Sequence, residues 1–193
     1  MKRTMLLSLF AVFSLTRVGT ADEPSHRRAD ATATFETIKS LAGEWVQEVA
    51  GKTQIVSQIR LVAGGNSVME VLFPGSDMER ISKYSLDGDR VVMAHFCMHG
   101  NQPRFAAQAD MNAIELRFLD AAGRDDGEKH IRAGRIELVD ENRIRSVWTP
   151  FADGKAQAPH AFELMKSPAN SSTQHTATSA AKSCCGGTAK PAR

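Results

Sequence analysis

Cysteine is scarce in this chain, and so are aromatic side chains. Three cysteines occur in 193 residues, Cys97, Cys184 and Cys185, and an odd number cannot pair completely within one chain. A disulfide framework is therefore not expected, and the adjacent Cys184 and Cys185 would bridge only with strain. Aromatic residues make up 6%, with one tyrosine and two tryptophans. Long apolar runs are missing too: Met5 to Leu15 covers about 11 residues, against the roughly 20 that a membrane-spanning helix needs. Neither sign of charge dominates, with 24 basic and 22 acidic side chains. That balance leaves no electrostatic footprint for nucleic acid or an anionic membrane. Paired carboxylates, phosphate-binding glycine loops and Ser-His-Asp patterns do not occur in a context that supports catalysis, so binding is the expectation.

Residues 1–21 carry the marks of a secretory signal peptide. Lys2 and Arg3 form the basic start, Met5 to Leu15 the apolar core, and Gly19-Thr20-Ala21 supplies small residues for cleavage after Ala21. The mature chain would then be exported, periplasmic or extracellular. Residues 22–33 are polar and read as a flexible leader. From Thr34 to Leu41, Phe35, Ile38 and Leu41 recur at helical spacing behind threonines that can cap a start, and Gly43 ends the turn. Residues 167–193, dominated by Ser, Thr and Ala, keep no apolar period and read as a disordered tail.

Between these extensions, residues 34–166 form one domain. After the helix come ten short β runs: 43–50, 54–62, 67–73, 79–86, 89–98, 104–110, 113–119, 131–139, 143–149 and 158–165. Turn residues such as Gly64-Gly65-Asn66, Asp87-Gly88 and Asp140-Glu141-Asn142 separate them. Ile114, Leu116 and Phe118 face one side while Glu115 and Arg117 face the other; Ile136 and Leu138 likewise oppose Arg135 and Glu137. One wet face and one buried face predict an all-β antiparallel meander that either closes into a barrel or forms a sandwich. Closure into a ten-stranded up-and-down barrel would remove its exposed edges. Run 89–98 is the exception, being apolar on both faces. Its inward set is either Val91, Met93, His95 and Cys97 or Val92, Ala94, Phe96 and Met98, depending on whether the Asp87-Gly88 turn is a two-residue or a three-residue loop.

That run leads into His95-Phe96-Cys97-Met98-His99-Gly100-Asn101-Gln102-Pro103-Arg104, where the chain concentrates its polar chemistry. Alternate side chains on a strand repeat at about 6.5–7 Å, so His95, Cys97 and His99 would share a face. With His130 at the inward parity of Ile136 and Leu138, they could grip Zn²⁺ or copper. The plain alternative is a core histidine bonded to carbonyls beside a small buried thiol. Cys97 as a nucleophile would lack a helix N-terminus or a loop of free N–H groups to support it. Arg104 could offer a forked donor to a carboxylate ligand, pair with Glu70, or face water. Trp45, Tyr84, Trp148, Phe73 and Phe118 suit either a core or the walls of a small-ligand site. In the tail, Cys184 and Cys185 could hold a soft ion such as Cu(I), with His175 nearby.

Two features resemble known barrels. The helix followed by Gly43-x-Trp45 resembles the opening of lipocalin-like (calycin) barrels, in which the tryptophan closes one end. Tyr84-Ser85-Leu86-Asp87-Gly88-Asp89, the His95-Phe96-Cys97 and Gly100-Asn101-Gln102-Pro103-Arg104 segments, His130 and Trp148 together resemble small exported bacterial lipocalin-like proteins with a Thr-His-Tyr-Cys…Gly-Asn-Gln-Pro-Arg signature. The resemblance spans roughly residues 34–166 and departs from that signature at Ala94 and Phe96. It implies a barrel with a ligand-sized interior and supplies no substrate. Nitrobindin-type haem barrels are more distant, with further glycines after the tryptophan where Val46-Gln47-Glu48-Val49 stands here. The resulting expectation is a small, partly apolar ligand oriented by His95, Cys97, Arg104 and His130 between walls of Trp45, Tyr84 and Trp148. The rival is a metal- or haem-dependent protein centred on His95, Cys97 and His130.

Overall fold

A computed structural model describes residues 23–168, apart from 124 and 126. The expected signal peptide and most of the expected tail, including Cys184 and Cys185, lie outside the described residues. Helix α1 (Glu23–Ser40) precedes β1 (Gly43–Val49), β2 (Lys52–Val62), β3 (Ser67–Leu72), β4 (Arg80–Asp87), β5 (Arg90–Phe96), β6 (Gln102–Asp110), β7 (Ala113–Ala122), β8 (His130–Asp140), β9 (Arg143–Ala152), β10 (Lys155–Ala156) and β11 (His160–Lys166). Each of β1 to β9 pairs antiparallel with the next. β11 then pairs with β9 on one side and, through Trp45↔Lys166 and Val46↔Met165, with β1 on the other. Ten strands thus make a closed antiparallel barrel, and the two-residue β10 is a stub hydrogen-bonded to the end of β9.

Alternation along the strands decides what lies inside. Val68, Val91, Met93, Phe105, Ile114 and Leu116 are fully buried in one core. Each such side chain contributes about 1.5–3 kcal/mol relative to leaving it in water. On the outer wall, Glu115, Arg135, Glu137, Arg145 and Glu163 pair in sequence across β7, β8, β9 and β11. Asp87 faces Arg90 across a two-residue turn of Gly88 and Asp89, in which Gly88 takes a φ of 65°. Turn length therefore aims Val91, Met93 and His95 inward and leaves Phe96 on the outside.

β5 stops at Phe96. The Cys97 N–H donates to the Asn101 carbonyl at 3.1 Å and the Gly100 N–H to the Cys97 carbonyl at 3.0 Å, so the chain turns there. The expected strand face shared by His95, Cys97 and His99 does not form.

The helix is also longer than the apolar spacing predicts. It begins at Glu23, so most of the segment expected as a flexible leader is its first turns. From Ser25 to Asp30 every side chain is exposed, and the inward stripe of Ala31, Thr34, Phe35, Ile38 and Leu41 starts only afterwards. The helix crosses one end of the barrel over β4, β5 and β6. Thr34 Oγ1 accepts the Ala109 N–H at 3.0 Å, and Arg27 reaches Asp89 at 3.4 Å. Trp45, beneath the end of the helix, donates its Nε1–H to the Leu41 carbonyl at 2.9 Å. Together these groups seal that end. Among the described residues no helix is long and apolar enough to cross a membrane.

Candidate functional site

At the end away from α1 the barrel opens into a cavity of about 440 Å³. Leu72, Phe73, Ile131, Trp148, Pro150 and Phe162 supply apolar wall, and Met78 and Met98 stand at the mouth, about half exposed. Arg80, His95 and His130 bring the polar groups, with Cys97 and His99 of the turn after β5 beside them.

His95 is 2% exposed and comes from the inward face of β5. Its Nδ1 is hydrogen-bonded to Ser82 Oγ at 3.0 Å, and its ring stacks on Trp148 with centroids 6.0 Å apart and planes 28° from parallel. Burial, and then the nearby positive charge of Arg80, lowers its pKa from 6.5 to about 4, so the imidazole is neutral at ordinary pH. Its Nε2 has no hydrogen-bond partner among the described residues.

His130, 1% exposed, opens β8 and sits between the rings of Phe118 and Phe151 at 5.4 and 5.5 Å. Its Nδ1 lies 2.9 Å from the Glu128 carbonyl oxygen. A carbonyl only accepts, so Nδ1 carries the proton and donates it. In the neutral ring Nε2 is then a bare lone pair, and it too lacks a partner among the described residues.

Trp148 owes its position to Gly134, its cross-strand neighbour on β8. A Cβ built there would stand 2.9 Å from the indole and 2.9 Å from Leu116. The missing side chain lets the ring lie against the strand, and its Nε1–H donates to Ser146 Oγ at 2.8 Å.

A polar row lies deeper. Glu70, Ser82 and His95 are direct cross-strand neighbours on β3, β4 and β5. Ser57 Oγ and Tyr84 Oη donate to the Glu70 carboxyl oxygens at 2.8 and 3.2 Å. Burial raises the Glu70 pKa against the opposing effect of those two bonds, and burial beside Glu70 raises that of Tyr84.

Of the residues expected to bind ligand, His95, Cys97, His130 and Trp148 all border the cavity. Trp45 belongs to the sealed end, and Tyr84 is occupied by Glu70. Arg104 is corrected outright. Its strand parity turns it outward, where its forked donors meet Asp120, its cross-strand partner, at 2.7 and 2.5 Å. Sequence reasoning missed Arg80, half-buried at the start of β4 with the inward parity of Ser82 and Tyr84. The signal was there in that parity. Among the described residues no three His, Cys, Asp or Glu side chains converge as a metal ion needs, so the expected triad of His95, Cys97 and His130 is not assembled.

Compared with known proteins, the chain matches no protein-family model and no curated protein. The closed ten-strand antiparallel barrel is consistent with a lipocalin-like fold and compatible with ligand binding.

Proposed function

We propose that this chain is an exported lipocalin-like protein that holds a small, partly apolar ligand in the open end of its barrel. The observation that supports this best is the cavity itself, where two buried imidazole nitrogens without partners among the described residues sit among apolar walls. A buried polar atom left unsatisfied costs about 1–3 kcal/mol. Water could satisfy the nitrogens but gains little against the apolar surface beside them. A ligand with a hydroxyl or amide on an apolar body suits both. His95 and His130 would orient it, with Trp148 and Phe162 as walls and Cys97 at the rim.

One observation favours the metal- or haem-dependent reading as a second choice. An imidazole that donates Nδ1–H to a carbonyl and presents Nε2 as a lone pair is arranged as a metal-bound histidine is. His130 could thus give a single ligand to a metal centre such as haem iron. The absorption spectrum of the purified protein separates the two readings, because a haem band appears only under the second.

Native mass spectrometry and metal analysis of protein purified after export test the main reading. The expected result is a retained organic molecule, lost in Leu72→Trp, which fills the cavity, and a mature N-terminus at Asp22. Wild-type protein that neither retains nor takes up an apolar small molecule would end the binding reading. Retention of the protein in the cytoplasm with an intact Met1 would end the exported one.

A further inference from the structure

We propose that the ligand is an amphipathic organic monoanion, a flat aromatic body with a carboxylate-like head, and that Arg80 receives the head. This rests on the binding reading above and names the class of molecule bound. The argument begins with charge. Arg80 and Lys129 bring positive charge to the border of the cavity, and no described carboxylate borders it. A site lined by one sign of charge selects the other.

Arg80 itself makes the case specific. Arg90, Arg104, Arg135, Arg143 and Arg145 on the outer wall each pair with a carboxylate of this chain. Arginines with no such partner among the described residues, such as Arg117 and Arg132, are exposed to water. Arg80 has neither solution. It is half-buried, donates its Nε–H to the Met78 carbonyl at 3.2 Å, and lies 5.1 Å from the centre of the Phe73 ring. It makes no ion pair among the described residues. A guanidinium held partly out of water by an aromatic face, with donors left over, fits the forked geometry of a carboxylate. Burial also lowers the Arg80 pKa, the direction that a bound anion would reverse.

The walls select the body. Phe73 and Phe162 meet edge to face at 5.6 Å, and Trp148 lies stacked with His95. Flat rings set around a cavity of about 440 Å³ favour a planar aromatic skeleton over a long flexible chain, which would lose more rotational freedom on binding.

The test uses the full-length exported protein with the neutral dye N-phenyl-1-naphthylamine as fluorescent reporter. Competitors are 1-naphthaleneacetate, its uncharged near-isostere 1-naphthaleneacetamide, and 1-naphthylmethylammonium. The acetate is expected to displace the dye at least about tenfold more tightly than the amide, the scale of one charge-assisted hydrogen-bonded pair, and the ammonium least of all. That preference should vanish in Arg80→Gln, persist in Arg80→Lys, and be unchanged in Arg104→Gln. Dye uptake by Arg80→Gln shows that its cavity is intact. Equal affinity for acid and amide, or a preference that survives Arg80→Gln, overturns the anion assignment while leaving the binding reading in place. Failure of the wild type to take up the dye and all three naphthyl compounds would remove both.

Discussion

Glu70 and His95 face each other across Ser82, and the barrel treats their charges in opposite ways. A folded-state carboxyl pKa raised above 4.5 means that the folded chain holds its proton longer than the unfolded one. The stability this supplies is full below about pH 4.5 and is lost as pH rises through the folded value. His95, lowered from 6.5 to about 4, does the reverse: stability is full above 6.5 and falls as pH drops towards 4, by about 3 kcal/mol. Urea unfolding followed between about pH 4 and pH 9 should therefore show a flatter basic limb in Glu70→Gln and a flatter acidic limb in His95→Gln. If either variant keeps the wild-type slope, that residue does not set that limb. At this scale the sequence named His95, Cys97, His130 and Trp148 because their residue types carry chemistry anywhere. Arg80 and Arg104 differ only in which face of a strand they occupy, and residue type says nothing of that.

Strands were legible wherever one face is wet and the other dry, as in Ala113–Ala122 and His130–Asp140. They were ambiguous in Arg90–Phe96, where outward Val92 and Phe96 are as apolar as inward Val91 and Met93. The Gly88-Asp89 turn decides that register, and an Asp-Gly pair suits loops of either length. The first turns of α1 were missed for another reason: they bury nothing, so no apolar period marks them. Gly134 shows how one element reaches into the site of another. Gly134→Ala should force the Trp148 ring off β8, cost about 1–3 kcal/mol of stability, and shift tryptophan emission. Unchanged emission and an unchanged denaturation midpoint would mean that the ring has room to spare.

On the scale of the whole molecule, closure could be anticipated from ten strands joined mostly as consecutive hairpins, because an open meander would leave two edges unpaired. What the hairpin rhythm could not say is which end stays open. That depends on where α1 lies, through long-range contacts such as Thr34 with Ala109 and Arg27 with Asp89. With one end stoppered by α1 and Trp45, the barrel formed by the described residues is a cup, and a ligand held in it would arrive and leave through the open end, beside Met78 and Met98. The escape rate of a bound molecule is then a property of that threshold. In stopped-flow dilution, Met78→Ala and Met98→Ala should hasten escape, whereas Phe35→Ala at the stopper should weaken folding and leave the escape rate alone.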